Sequence, residues 1–196
     1  MNELREWTDI HDRIAEKEME TVFYAVRDHF ARAVEAHEAQ HRLDYARGMI
    51  GLPERLAKLM GAENTMDLPE GGLFARTRDE LSAYLAEIAF EKSMPMLELM
   101  LLSRFAFDAE QWGGAYCYAA LAAIDALGRE LGLPDVQLIG NRSVQREELT
   151  ERFMAISQKP AEEIRAAAKK AWASYYGTQL AELKVGNEVN YTPWRH

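Results

Sequence analysis

Between Trp7 and Arg47 the chain contains neither proline nor glycine. A stretch of about forty residues without either strong backbone punctuator can stay helical from end to end, and Gly48 supplies a stop. Within it Phe23, Val26, Phe30 and Ala33/Val34 recur at intervals of three and four. That spacing gathers side chains on one face of a helix. Carried further along the helix, the same stripe reaches His37, His41 and Asp44/Tyr45, so both histidines are predicted to face a core. A break near Asp9 to Asp12 would divide the stretch into two helices.

The remaining chain reads as shorter helices separated by glycine and proline. Leu52-Pro53-Glu54 opens a short helix to about Met60, and a loop follows from Gly61 to Gly72. Thr77-Arg78-Asp79-Glu80 has the form of a capping box, which predicts a helix from there to about Ser93. Further helices are predicted over Pro95 to Phe107, Ala115 to Leu131, Ser143 to Gln158 and Ala161 to Leu183. Val136 to Ile139 is the one plausible β segment, and Trp172 with Tyr175-Tyr176 is expected to pack the last helix down. The expected fold is all-α: a compact multi-helix bundle with a long N-terminal helix and little or no β-sheet. It is read as a single helical domain over residues 1–196. Residues 1–132 would supply the core and the site, 143–184 a C-terminal helical hairpin, and 185–196 an irregular tail carrying Tyr191 and Trp194.

Composition narrows the function classes. At 196 residues and 48% hydrophobic content the chain can bury a substantial core. The net charge of -9 argues against nucleic acid or an anionic membrane as the main partner, because both require a basic face. A single cysteine, Cys117, cannot form an internal disulfide and lies in an apolar run, where it reads as a buried small hydrophobe. The N-terminus shows no leader pattern, and the most apolar stretch, Met94 to Phe107, is too short to span a bilayer. A cytoplasmic protein is expected.

His37-Glu38-Ala39-Gln40-His41 stands on the long helix as H-E-x-x-H. Two imidazoles four residues apart share one helix face and can both hold Zn2+, and the glutamate beside them can take a proton from an attacking water. A catalytic zinc site needs three protein ligands and an open position. The longer pattern with a third histidine fails, since Asp44 and Arg47 stand where glycine and histidine would be. The third ligand must then be a later carboxylate. Glu80 and Glu87, seven residues apart, lie on nearly one face of their helix. Glu80 is favoured and Glu87 is the alternative. Asp44, three residues after His41, is placed to orient a ligand imidazole through its outer nitrogen. A di-iron carboxylate site would need a second E-x-x-H, which is missing, and neither a nucleophile elbow nor a phosphate-binding glycine loop is present.

The segment from His37 to Asp44, followed some forty residues later by Glu80-Leu81-Ser82-Ala83, resembles the H-E-x-x-H-x-x-D and E-x-x-A arrangement of small gluzincin-like zinc metallopeptidases. The resemblance covers roughly residues 20–92. It implies His37, His41 and Glu80 as zinc ligands, Glu38 as general base, and a peptide or protein substrate. The rival expectation is a non-catalytic, all-helical interaction or regulatory protein with a protein partner, including a metal-binding pseudoenzyme. The two differ in whether His37, His41 and Glu80 or Glu87 converge beside an open cleft.

Overall fold

A computed structural model of the protein describes residue 12 and residues 17–48, 53–61, 72–90, 95–140 and 143–181. Among these residues seven α-helices follow one another: α1 (Lys17–Ala46), α2 (Glu54–Leu59), α3 (Gly72–Phe90), α4 (Pro95–Phe107), α5 (Ala115–Glu130), α6 (Arg146–Ser157) and α7 (Ala161–Tyr176). A short 3-10 turn, Ala109–Gln111, precedes α5, and a two-residue hairpin, β1 (Ile139–Gly140) with β2 (Ser143–Val144), joins α5 to α6. The fold is all-α. No helix among the described residues is long and apolar enough to cross a membrane.

Two helices form the centre. Residues 81–89 of α3 are all buried. α5 buries Cys117, Ala119, Ala120, Leu121, Ala122, Ala123, Ile124, Ala126, Leu127 and Gly128. A helix covered on every side must sit inside the bundle, and the alanines of α5 let its neighbours come close. α1 packs on α3, α7 on both α3 and α5, and α4 and α6 on α5. Leu149 and Ile156 of α6 and Ile164 and Trp172 of α7 join the same cluster as Leu81, Leu85 and Leu121, so the C-terminal helices share the main core. Cys117 is fully buried, and burial pushes its thiol up to about 11, as expected of a packing residue.

Several local expectations need correction. Helix α3 begins at Gly72, so Thr77 lies inside it, and its hydroxyl donates to the Leu73 carbonyl one turn back at 2.8 Å. The threonine back-bonds within the helix and caps nothing, which leaves Glu80 without a capping role. Helix α7 stops at Tyr176, short of Leu183, because Gly177 takes φ +67°, a left-handed conformation that ends helices. Ser143 and Val144 pair with Gly140 and Ile139, so α6 starts at Arg146, and the β segment lies slightly beyond Val136 to Leu138. On α1, Phe23 and Val34 are 47% and 59% exposed, and the buried positions are His29, Ala33, Ala36, Gln40 and Asp44. The helix faces α3 with small and polar residues; of the predicted stripe Ala33 and Asp44 are buried and Val26, Phe30, His37 and His41 partly so, while Phe23, Val34 and Tyr45 face outward. The expected break near Asp9 to Asp12 and the tail with Tyr191 and Trp194 fall largely or wholly outside the described residues.

Candidate metal centre

The histidines come from one helix and the carboxylates from its neighbour. His37 and His41 stand one turn apart on α1, and Glu80 and Glu87 stand two turns apart on α3, against which α1 packs. His37 Nε2 lies 3.1 Å from His41 Nε2. Glu80 Oε2 lies 3.3 Å from His37 Nε2, and Glu80 Oε1 lies 3.9 Å from His41 Nε2. One donor atom from each of the three residues falls within 4.8 Å of the others, so His37, His41 and Glu80 form a group that can hold a metal ion.

The donor set fits a divalent ion. Ligands about 2.0–2.1 Å from a tetrahedral ion lie roughly 3.3–3.4 Å from one another, and the observed separations bracket that figure. Glu80 Oε2 is shut off from solvent and, among the described residues, receives no well-aligned hydrogen bond. A buried carboxylate oxygen left so is costly unless a cation satisfies it, either a metal ion or a protonated His37, whose Nε2 lies 3.3 Å away. The three side chains are 16–27% exposed, which leaves the centre one open side.

His37 is held from behind. Its Nδ1 lies 3.2 Å from Glu87 Oε2. With a proton on Nδ1 donated to that carboxylate, the Nε2 lone pair is turned toward Glu80 and His41, the arrangement that orients imidazoles at metal sites. Burial alone would depress the His37 imidazole. The Glu80 and Glu87 carboxylates beside it outweigh burial and raise it from 6.5 to about 9. Without an ion, His37 is therefore a cation paired with both glutamates.

Asp44 serves another purpose. Its Oδ1 accepts from Gln40 Nε2 of the same helix at 2.7 Å and its Oδ2 from the Ser82 hydroxyl at 2.6 Å, so Oδ2 ties α1 to α3, and the orienting carboxylate on His37 is Glu87. Glu38 is exposed on α1, one residue from His37 and one turn before His41. Tyr84 packs beside His37 with ring centroids 5.4 Å apart. Burial, then the nearby Glu80 and Glu87 charges, hold its phenol protonated far above the ordinary tyrosine range.

A cleft of about 300 Å3 opens beside the centre, with His41 and Glu80 in its wall. Tyr45, 91% exposed, stands at its lip, and Arg76 and Arg78 of α3 complete the lining with Asp44 and Asp79. None of the lining residues belongs to the β1–β2 hairpin. The orienting role of Glu87 was open to sequence reasoning only in part: its seven-residue spacing from Glu80 places both on one face, but which one meets which nitrogen depends on how α1 and α3 cross. A second histidine–carboxylate contact, His29 Nε2 to Glu98 Oε1 at 2.6 Å, is buried between α1 and α4 and had no motif to announce it. No protein-family model matches this chain, and no curated protein and no solved structure matches it.

Proposed function

We propose that the chain is a metal-dependent hydrolase, with Zn2+ held by His37, His41 and Glu80 and a peptide or related amide as substrate. The observation that carries this reading is the convergence of two imidazoles and a carboxylate, with His41 and Glu80 of that group in the wall of an open cleft. Two neutral nitrogens and one oxygen are the donor set of many catalytic zinc sites. The resemblance to gluzincin-like metallopeptidases supports the same residues.

An ion bound there supplies Lewis acidity to a substrate carbonyl and acidifies a water. Glu38, on the turn between the two histidines, accepts the proton of the attacking water. The hydroxyl adds to the carbonyl carbon, the C–N bond breaks, and Glu38 returns the proton to the departing amine. Tyr45, at the cleft lip, donates to the developing oxyanion in this reading. Glu87 keeps His37 in the ligating tautomer throughout.

The test is metal content by mass spectrometry on protein purified without chelator or histidine tag. About one zinc per chain, lost in His41→Ala, supports the site. A peptide-library assay then compares the wild type with Glu38→Gln, and full activity in that variant would exclude Glu38 as the base. A second reading has its own observation: α1 presents Val22, Phe23 and Val34 at 47–59% exposure. Exposed apolar side chains on this helix suit a protein partner, and a non-catalytic, metal-stabilised interaction protein would bind one there without hydrolysing peptides.

A further inference from the structure

The cleft beside the centre has more than the two ligands in its wall. Arg76 precedes Glu80 by four residues on α3, so the two side chains stand one turn apart on the same face and both border the cleft. The other charged groups of the lining are already engaged. Asp44 accepts from Gln40 and Ser82. Asp79 Oδ1 accepts from Arg78 Nε at 2.7 Å, which fixes the plane of that guanidinium. Glu80 is turned to the histidines. Arg76 is exposed, and no described carboxylate pairs with it.

An arginine with its fork of donors open to a cleft is suited to a planar or tetrahedral oxyanion, which it binds through two parallel hydrogen bonds. The setting sharpens this. The cleft lining sets the guanidinium groups of Arg76 and Arg78 against the carboxylates of Asp44, Asp79 and Glu80, so its charge balance turns on whether an ion is bound. A divalent ion at His41 and Glu80 would leave the cleft net positive, so it would select against cations and for anions.

We infer that the cleft binds an anionic group of the substrate, a carboxylate or a phosphate, through Arg76, with Arg78 beside it. The reacting bond lies about one helical turn away, roughly 5–6 Å along α3. The anion and the scissile bond are thus separated by only a few covalent bonds. For a peptide this describes cleavage next to a free C-terminal carboxylate. The position of the reacting bond rests on the hydrolase reading; anion binding by Arg76 does not.

The experiment is a calorimetric titration of the full chain, metal-free and zinc-loaded, with three probes: N-acetylglycine, its uncharged amide, and inorganic phosphate. Zinc content is measured on every sample. The expected result is binding of at least one anion, none of the amide, and a loss of tenfold or more in Arg76→Gln, with and without zinc. Arg78→Lys should lose less. A preference for N-acetylglycine assigns a carboxylate substrate, and a preference for phosphate a phosphorylated one. No binding of either anion, or binding that Arg76→Gln leaves unchanged, overturns the inference. A chain that binds zinc but shows no arginine-dependent anion binding sinks the inference alone. A chain that binds no zinc yet binds anions through Arg76 sinks the metal reading and keeps the inference.

Discussion

His37 has a partner on each ring nitrogen, Glu87 on Nδ1 and Glu80 near Nε2, and this gives the metal-free protein a specific pH dependence. Burial works against its charge, but the two carboxylates raise the folded-state value from 6.5 to about 9. A group raised on folding contributes stability that is fully present below the unfolded value and lost as pH climbs through the folded one. Urea unfolding of metal-free protein should therefore show a stability loss between about pH 6.5 and pH 9, roughly 3 kcal/mol at most, that flattens in Glu87→Gln. A metal ion must displace the same proton, so zinc affinity should rise across that window. Glu87→Gln should still bind zinc, but about 10–100-fold more weakly, read by competition against a zinc indicator. Unchanged affinity would mean that Glu87 does not hold the His37 ring.

Three helices meet at one hydroxyl. Ser82 of α3 donates to Asp44 Oδ2 on α1 at 2.6 Å, and it accepts from Gln40 Nε2 on α1 at 3.3 Å and from Trp172 Nε1 on α7 at 2.9 Å. A hydroxyl has one proton to give and two lone pairs, so this one is fully used. Ser82→Ala would leave a buried carboxylate and a buried indole N–H each short of a partner, at a cost of about 2–4 kcal/mol in denaturant unfolding. Ser103→Ala is the control. That hydroxyl donates only to its own helix, to the Met100 carbonyl, and its removal should move stability by less than about 0.5 kcal/mol. Because the network holds α1 in register against α3, Ser82→Ala should also weaken zinc binding without touching a ligand. Retained zinc affinity alongside lost stability would show that the metal centre keeps its own geometry.

At the scale of the whole molecule, the connection from α5 to α6 hangs on a buried charge. Arg152 of α6 is 3% exposed, and its Nη2 donates to the Pro134 carbonyl. Its guanidinium lies over Gly128 so closely that a Cβ there would run into Nη1, Cδ and Cζ. Gly128→Ala should raise the helix propensity of α5 and still destabilise the protein, by about 1–3 kcal/mol, because Arg152 cannot retreat without abandoning Pro134. A thermal midpoint equal to or above that of the wild type would refute this.

That contact could not be read from the chain, and neither could most of what arranges the site. The all-α class, the long N-terminal helix, the alanine-rich central helix and the buried cysteine were legible, because each depends on local composition or on the periodicity of one element. The spacing of His37 and His41 on one face was legible for the same reason. Glu80 could be singled out as the partner of both histidines, but the separate duties of Glu87 and Asp44 could not. The crossing of α1 on α3 set Glu80 against both Nε2 atoms, gave Glu87 the outer nitrogen of His37 and sent Asp44 to Ser82. The predicted stripe on α1 held at Ala33 and Asp44 but not at Phe23 and Val34, which are exposed, and His29, Ala36 and Gln40, which fill the inner face, were not part of it. Local sequence determines which side chains share a face of a helix. Which face turns inward, and which atoms meet there, is decided by the partners that satisfy buried polar groups, and those partners lie tens of residues away along the chain.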